Sequence, residues 1–395
     1  MVSSAKRRGA EMFAADLVGA LQSANVSQLV AVLDPEAPLV AFNAAVAVLP
    51  RPHRLVPGLR IDVGVVRGIR SLLRQWRPDI VQGHGGDTLK YAVMAAAGTG
   101  IPIVHRAIGM APRWLRRGPR RLVYSLLMRR AQAVAAVAEA VAGELAKVFR
   151  LGESVVTIPN AVALSRMRPS KTREEMRDVL GIARDDPIVL SVAALTWEKD
   201  PLAHIEAIRH VFATVPKVRH LFVGEGPMRS EVDAAVRRAG LDGHVRLLGV
   251  RSDLPDLLAA ADVLLLASRS DGMEGLPGIV IEAALSGVPT VGFDVAGVSE
   301  VVIPGRNGIL VPPGDIPRLA AALIELLRHE DALREMGSAA QEWCLRRYEI
   351  RRIAHLYLDL YQDLCRDARQ RRVAPQLGIV PLPVELEARH KGDRL

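Results

Sequence analysis

From Pro187 onward the chain repeats one pattern, a short apolar run closed by turn residues and followed by a stretch of helical period. The runs are IVLSVAAL (188 to 195), HLFVGEG (220 to 226), VRLLGV (245 to 250), VLLLAS (263 to 268), PTVGF (289 to 293) and GILVP (308 to 312). They are apolar continuously rather than alternately, so both faces of each strand need covering. Helices on both sides of a doubly wound parallel sheet supply that cover. The first half carries the pattern less cleanly. A helix is predicted from about Glu11 to Ser23, and strands at SQLVAVL (27 to 33), DIVQG (79 to 83), IPIVHR (101 to 106), AVAAV (133 to 137) and VVTIP (155 to 159). The fold class is therefore α/β, with two Rossmann-like domains in tandem.

The boundary falls near Pro159 and Asn160, ahead of the charged segment 165 to 186. This divides the chain into residues 1–158 and 159–346, with a helix over about 347–372 and a Pro-bearing tail, 373–395, that has no period and is expected to be disordered. One irregularity stands at the start. A Rossmann domain opens with a buried central strand feeding a glycine turn, yet here only Val2 to Ser4 precede the turn-like AKRRGAE. Most of that first strand is expected to be missing, through a translation start placed too late or through a sheet that truly lacks it.

Composition narrows the class. With 395 residues, half of them hydrophobic and 24% charged, the chain has ample material for two ordinary cores. Cys344 and Cys365 have neither metal-type spacing nor a disulfide framework, which suits a reducing cytoplasm. No signal-type h-region and no span-length apolar run occur, so a cytoplasmic protein, free or peripheral on the inner face of the plasma membrane, is expected. The net charge of +9 raises nucleic acid as a partner, but much of it is local. Arg113, Arg116, Arg117, Arg120, Arg121, Arg129 and Arg130 interleave with Trp114, Leu122, Val123, Leu126 and Leu127, and no acid intervenes. Arg113 to Arg130 thus suits an anionic membrane surface, or equally a solvated helix face. Aromatic residues are only 4% and no nucleic-acid-binding motif is present, so nucleic acid is not expected as a partner.

Candidate chemistry centres on DGMEGLPGIVIEAALSGVP, residues 271 to 289. A loop reaches Glu274; Gly275, Leu276, Pro277 and Gly278 then open a helix that Ser286 and Gly287 close. Pro277 suits a first-turn position, and the glycines let the free amides approach a ligand closely. A helix start at the C-terminal edge of a parallel sheet is a natural diphosphate seat. Glu282, eight positions after Glu274, lies near the same face. Acids beside a diphosphate need another purpose, and sugar and ribose hydroxyls supply one. The spacing alone is also that of an ordinary surface helix. Lys199, in SVAALTWEKDP (191 to 201), follows a strand end and can face the same edge, although a loop lysine is commonly just solvated. Gly226 in VGEGP (223 to 227) permits a tight turn, a weak signal by itself.

In this order the pieces resemble glycosyltransferase family 4. The matching stretches are TIPNAV (157 to 162), VAALTWEKD (192 to 200), LFVGEGP (221 to 227), RLLGVRSDLPDLLAAADVLLLAS (246 to 268), EGLPGIVIEAALSGVPTV (274 to 291), GVSEVV (297 to 302) and NGILVPPGD (307 to 315). The resemblance implies the GT-B fold, with an acceptor-side domain over 1–158 completed by helix 347–372 and a donor-binding domain over 159–346. It implies retaining transfer from a nucleotide-sugar donor to a glycan, lipid-linked or small-molecule acceptor in cell-envelope glycan synthesis. No metal or other cofactor is implied, and no DxD-like pair stands at a strand end.

By resemblance, Glu274 lies near the transferred sugar's hydroxyls and Glu282 on the ribose. Lys199 holds the diphosphate together with the amides after Glu274, Arg251 borders the base, and Gly9 belongs to the loop closing over the phosphates. His84, His105 and Arg106 are acceptor-side candidates, each equally compatible with a structural role. Three positions depart from the pattern: Ala194 where a second cation is usual, Ala161 and Ala163 in the PNGVD-like stretch, and Ile108 in an acceptor-side seat often taken by Asp. Two other readings stay open. One is another GT-B enzyme such as a nucleotide-sugar epimerase; the other, motivated by Ala194 and the short first strand, is a non-catalytic nucleotide-sugar-binding protein.

Overall fold

The structure, a computed structural model, describes residues 1–4, 9–34, 40–49, 55–56 and 61–373. The expected tail beyond 373 lies outside the described residues.

The first half begins with α1 (Gly9–Ser23), β1 (Leu29–Val32), β2 (Ala45–Val48), and a hairpin of β3 (Leu55–Val56) and β4 (Ile61–Asp62). It continues through α2 (Val63–Trp76), β5 (Val81–His84), α3 (Gly86–Ala96), β6 (Ile103–Ala107), α4 (Gly118–Arg130), β7 (Ala133–Ala136), α5 (Glu139–Phe149) and β8 (Val155–Thr157). β5, β6, β7 and β8 form a parallel sheet in that order, and β1 pairs with β2 in a separate parallel pair. Strand β2, apolar at every position but largely exposed, and the short hairpin are not among the predicted strands.

The gap between these sheets is where the opening strand belongs, and Met1 to Ser3 occupy part of it. Val2 N–H donates to Ala31 O at 3.0 Å, Leu33 N–H to Val2 O at 3.1 Å, and Asp34 N–H to Ser3 O at 3.0 Å. On the other side His84 N–H donates to Met1 O at 3.0 Å, and the Met1 amino group reaches Gln82 O at 2.6 Å. Burial pushes that amino group down to about 5. Beside it, a cavity of about 680 Å³ opens among Leu17, Leu29, Trp76, Ile80 and Tyr361.

The second half comprises α6 (Arg173–Leu180), β9 (Ile188–Val192), α7 (Pro201–Phe212), β10 (Arg219–Val223), α8 (Arg229–Arg238), β11 (Val245–Gly249), α9 (Leu254–Ala260) and β12 (Val263–Leu266). Then follow α10 (Gly278–Leu285), β13 (Thr290–Phe293), β14 (Gly308–Val311), α11 (Ile316–Arg328), α12 (Glu330–Arg347) and α13 (Ile350–Val373). Its six strands are parallel in the order β11-β10-β9-β12-β13-β14. Ile188, Val189, Leu190, Val263 and Leu264 are fully buried, as continuous apolar strands between two helix layers must be. The strand order reverses direction between β9 and β12. That switch point leaves a crevice at the strands' C-terminal ends, the usual ligand seat of such sheets.

The chain passes between the halves twice, and the two passages are bonded together. Val162 N–H donates to Tyr348 O at 3.0 Å and Ile350 N–H to Val162 O at 3.2 Å. Helix α13 then returns to α1, where Ile353, Ala354 and Tyr357 pack with Phe13, Leu17 and Leu21.

Candidate functional site

Strands β9 and β12 are neighbours in register, Val189 beside Val263 and Leu190 beside Leu264. Neighbouring strands lie about 4.8 Å apart, so the loops that follow them run side by side. This brings Lys199 to Glu274. The loop after β9 forms one tight turn, Trp197–Lys199, and Asp200 caps α7 by accepting from Ala203 N–H at 3.3 Å. The Lys199 ammonium donates to the Glu274 carboxylate, and the buried Ser268 hydroxyl donates to the same carboxylate at 3.0 Å. Helix α10 starts at Gly278, with Pro277 as its cap rather than within its first turn. A Cβ at Gly278 would meet nothing within 4 Å, so the helix start is open to a ligand.

Glu282, further along α10, pairs with Arg166 from the connector at 2.8 Å. Each of the two expected donor-site acids therefore has a cation beside it. Ala194, at the end of β9, is exposed and adds no charge there.

The first half closes over this site. A Cβ on Gly275 would fall 2.9 Å from Val137 Cγ2 and 3.0 Å from Gly109 Cα, and nearer still to the Ile108 carbonyl oxygen. Gly275 thus serves the approach of the other half's backbone, where the sequence suggested approach to a ligand. Gly297, at φ 78°, likewise packs on the Gly275 carbonyl. Glu300 reaches across to cap α5, accepting from Glu139 N–H at 3.0 Å and Ala140 N–H at 3.2 Å. Arg113 meets Asp271 at 3.0 Å. Asn160, in the connector, accepts from Arg106 and donates to the Leu276 carbonyl.

Several expected residues are engaged within the protein itself. Gly226 lies under the loop after β9, where its Cβ would strike the Leu195 backbone, so packing accounts for this glycine. Arg251 forms a two-bond pair with Asp253, at 2.8 and 2.5 Å. His105 and Arg106 are buried in the sheet. Burial, and the neighbouring Arg106, hold His105 down to about 4, while the Arg106 guanidinium stacks 3.7 Å from the Phe13 ring centre. Both are buried in this arrangement, and Arg106 donates to Asn160 of the connector. His84 is also buried, its Nε2 3.1 Å from Gln82. Gly9 opens α1 with free space around it, while the loop before it lies outside the described residues. Sequence reasoning passed over Asp16, Asn160, Arg166, Ser268 and Glu300. Of these, Asn160, Ser268 and Glu300 lie within motif stretches; Asp16 and Arg166 carry no local signal.

Two parallel-stranded halves closing over charged groups at a switch point have the GT-B architecture, and solved structures share it. HepE from Anabaena in complex with UDP and glucose superimposes with TM-score 0.78 over 92% of this chain and 98% of that one, at 21% identity. Residues 7–166 match the family described as Glycosyltransferase Family 4, and residues 172–343 that described as Glycosyl transferases group 1. The chain belongs to glycosyltransferase family 4. Among curated relatives, N-acetyl-alpha-D-glucosaminyl L-malate synthase of Bacillus anthracis is 26% identical over 61% of this chain, a match spanning 62% of that protein's length. UDP-Gal:alpha-D-GlcNAc-diphosphoundecaprenol alpha-1,3-galactosyltransferase of Escherichia coli is 25% identical over 78% of this chain and 83% of its own.

Proposed function

We propose that the chain moves a sugar from a nucleoside-diphosphate donor to an acceptor hydroxyl, retaining the anomeric configuration and using no metal ion, in cell-envelope or polysaccharide synthesis. The observation that carries this reading is the Lys199–Glu274 pair at the start of α10. An arriving diphosphate competes with Glu274 for the ammonium. Once released, Glu274 accepts hydrogen bonds from the transferred sugar's hydroxyls, and Lys199 with the helix amides takes the diphosphate charge. The bond from the anomeric carbon to the phosphate oxygen then breaks, and its electron pair stays on the diphosphate. The acceptor oxygen attacks from the same face, and its proton passes to the departing phosphate oxygen.

One relative, named for both UDP-galactose and a lipid diphosphate acceptor, supports a UDP-sugar and an envelope glycan. The outer face of α4 supports work at an anionic membrane surface on the cytoplasmic side. On α4 Leu122 is 64% exposed and Leu126 56%, and in the turn before it Trp114 is 53% exposed, amid the arginines. Among the described residues no helix is long and apolar enough to cross a membrane.

The test is donor turnover with UDP-glucose, UDP-galactose, UDP-N-acetylglucosamine and GDP-mannose. The wild type releases nucleoside diphosphate slowly from one of them, and Glu274→Ala abolishes transfer while melting like the wild type. Failure of every donor, or equal turnover by Glu274→Ala, sinks the reading.

A further inference from the structure

One cation outside the proposed catalytic pair stands between acids of the two halves. Arg166 lies in the turn Leu164–Met167, just after the chain leaves the first sheet. Its Nε and Nη2 donate to Asp16 Oδ2 on α1 at 3.2 and 3.0 Å, and its Nη1 donates to Glu282 Oε1 on α10 at 2.8 Å. Asp16 also accepts from the Ala163 N–H at 3.2 Å, so the connector grips α1 at two points. The side chains of Asp16 and Glu282 are only 8% and 12% exposed, so solvent screens these pairs weakly. Burial works against the Arg166 charge, and Glu282 and Asp16 more than restore it.

The chemistry of the neighbouring seat gives this arrangement a purpose. A carboxylate close to a diphosphate is unfavourable unless a cation compensates it, and a carboxylate that reads a diol must be held in one orientation. A guanidinium fork supplies both compensation and orientation. We infer that Arg166 is a positioning residue of the donor site, holding Glu282 oriented for the ribose diol while Asp16 anchors it to the first half. The inference rests on the proposed function, in which Glu282 faces the ribose.

Calorimetric titration of the full chain with UDP and GDP tests it, alongside steady-state kinetics with the productive donor. Arg166→Ala raises the Kd of the bound nucleotide about tenfold, about 1.4 kcal/mol, and raises donor KM in parallel, with kcat at saturating donor within about twofold. Arg166→Lys keeps the charge without the fork and recovers roughly half of the logarithmic loss. In a Glu282→Gln background, Arg166→Ala changes Kd by less than about twofold, because the partner it acts through is already altered. The penalty likewise vanishes when 2′,3′-dideoxy-UDP replaces UDP. A full tenfold loss in the Glu282→Gln background, an undiminished loss with the dideoxynucleotide, or a fall in kcat at constant KM overturns the inference. If Arg166→Ala does not fold, Arg166→Lys in the two backgrounds makes the same comparison. A wild type that binds neither nucleotide sinks the donor-site reading itself, whereas wild-type binding that Arg166→Ala leaves unchanged sinks this inference alone.

Discussion

Replacing Gly275 by alanine adds one carbon to the seam where the two halves meet, and the structure fixes what that carbon meets. It would lie 2.9 Å from Val137 Cγ2, 3.0 Å from Gly109 Cα and closer to the Ile108 carbonyl oxygen. The valine can turn aside; the other two are backbone and yield only if a loop moves. Restoring ordinary contact of about 3.5–4.0 Å requires the seam to open by roughly 1 Å. Overpacking of this kind costs about 1–3 kcal/mol, and here the strain falls on the seam rather than on either sheet. Melting should therefore drop by only about 2–4 °C per kcal/mol. Catalysis is more sensitive, since misplacing reacting groups by about 1 Å can lower rates by ~10²-fold. The expected outcome is a kcat at least tenfold lower by these arguments, with nucleotide Kd within about threefold. Binding is spared because Lys199, α10 and their strands share one sheet. Gly278→Ala is the control: nothing lies within 4 Å of its Cβ, so melting is unchanged while nucleotide binding weakens. Steady-state kinetics and calorimetry on both variants decide, and a Gly275→Ala enzyme with kcat within twofold of wild type refutes the reasoning.

Ala194→Arg restores a second cation to the exposed end of β9 and should lower nucleotide Kd about 3–10-fold by calorimetry, as charge-assisted contacts to phosphate do. Glu300→Ala leaves the first amides of α5 uncapped across the seam, with an expected loss of about 1 kcal/mol in chemical denaturation. Wild-type protein should co-sediment with phosphatidylglycerol vesicles at low salt, and the Leu122→Ser, Leu126→Ser double variant should not. A wild type that stays in the supernatant removes the membrane surface as a partner. The buried histidines make the fold acid-sensitive, because burial holds His105 and His204 down to about 4 and His220 to about 3. Their folded values lie below the ordinary 6.5, so the unfolded chain binds more protons as pH falls. The stability they contribute is present above about 6.5 and is lost on descending toward 4 and 3, so a melting temperature that stays flat across that interval contradicts this account.

The strands of the second half were legible in the sequence because each is a continuous apolar run, and burial on both faces leaves that mark on every residue. The start of α10 was legible as well, since glycines and a proline announce a helix start whatever surrounds it. The first half was less readable. Its central position is held by Met1 to Ser3, bonded to β1 on one side and β5 on the other, and strand β2 lacks the burial on both faces that marks the second half's strands. What the glycines were for could not be read. Gly275 and Gly226 answer to backbone brought in by distant segments, and no local pattern records an approaching neighbour. The same holds for His105 and Arg106, acceptor-side candidates by resemblance with a structural role equally open, whose burial only the fold made visible. Sequence alone determined the strands of the second half, the start of α10 and the candidate acids and cations. Only the tertiary structure decided that Lys199 meets Glu274 and Arg166 meets Glu282. Those pairings depend on β9 lying beside β12 and on the connector crossing under α10, and adjacency between strands far apart in the chain is set by packing the whole sheet rather than by any residue in it.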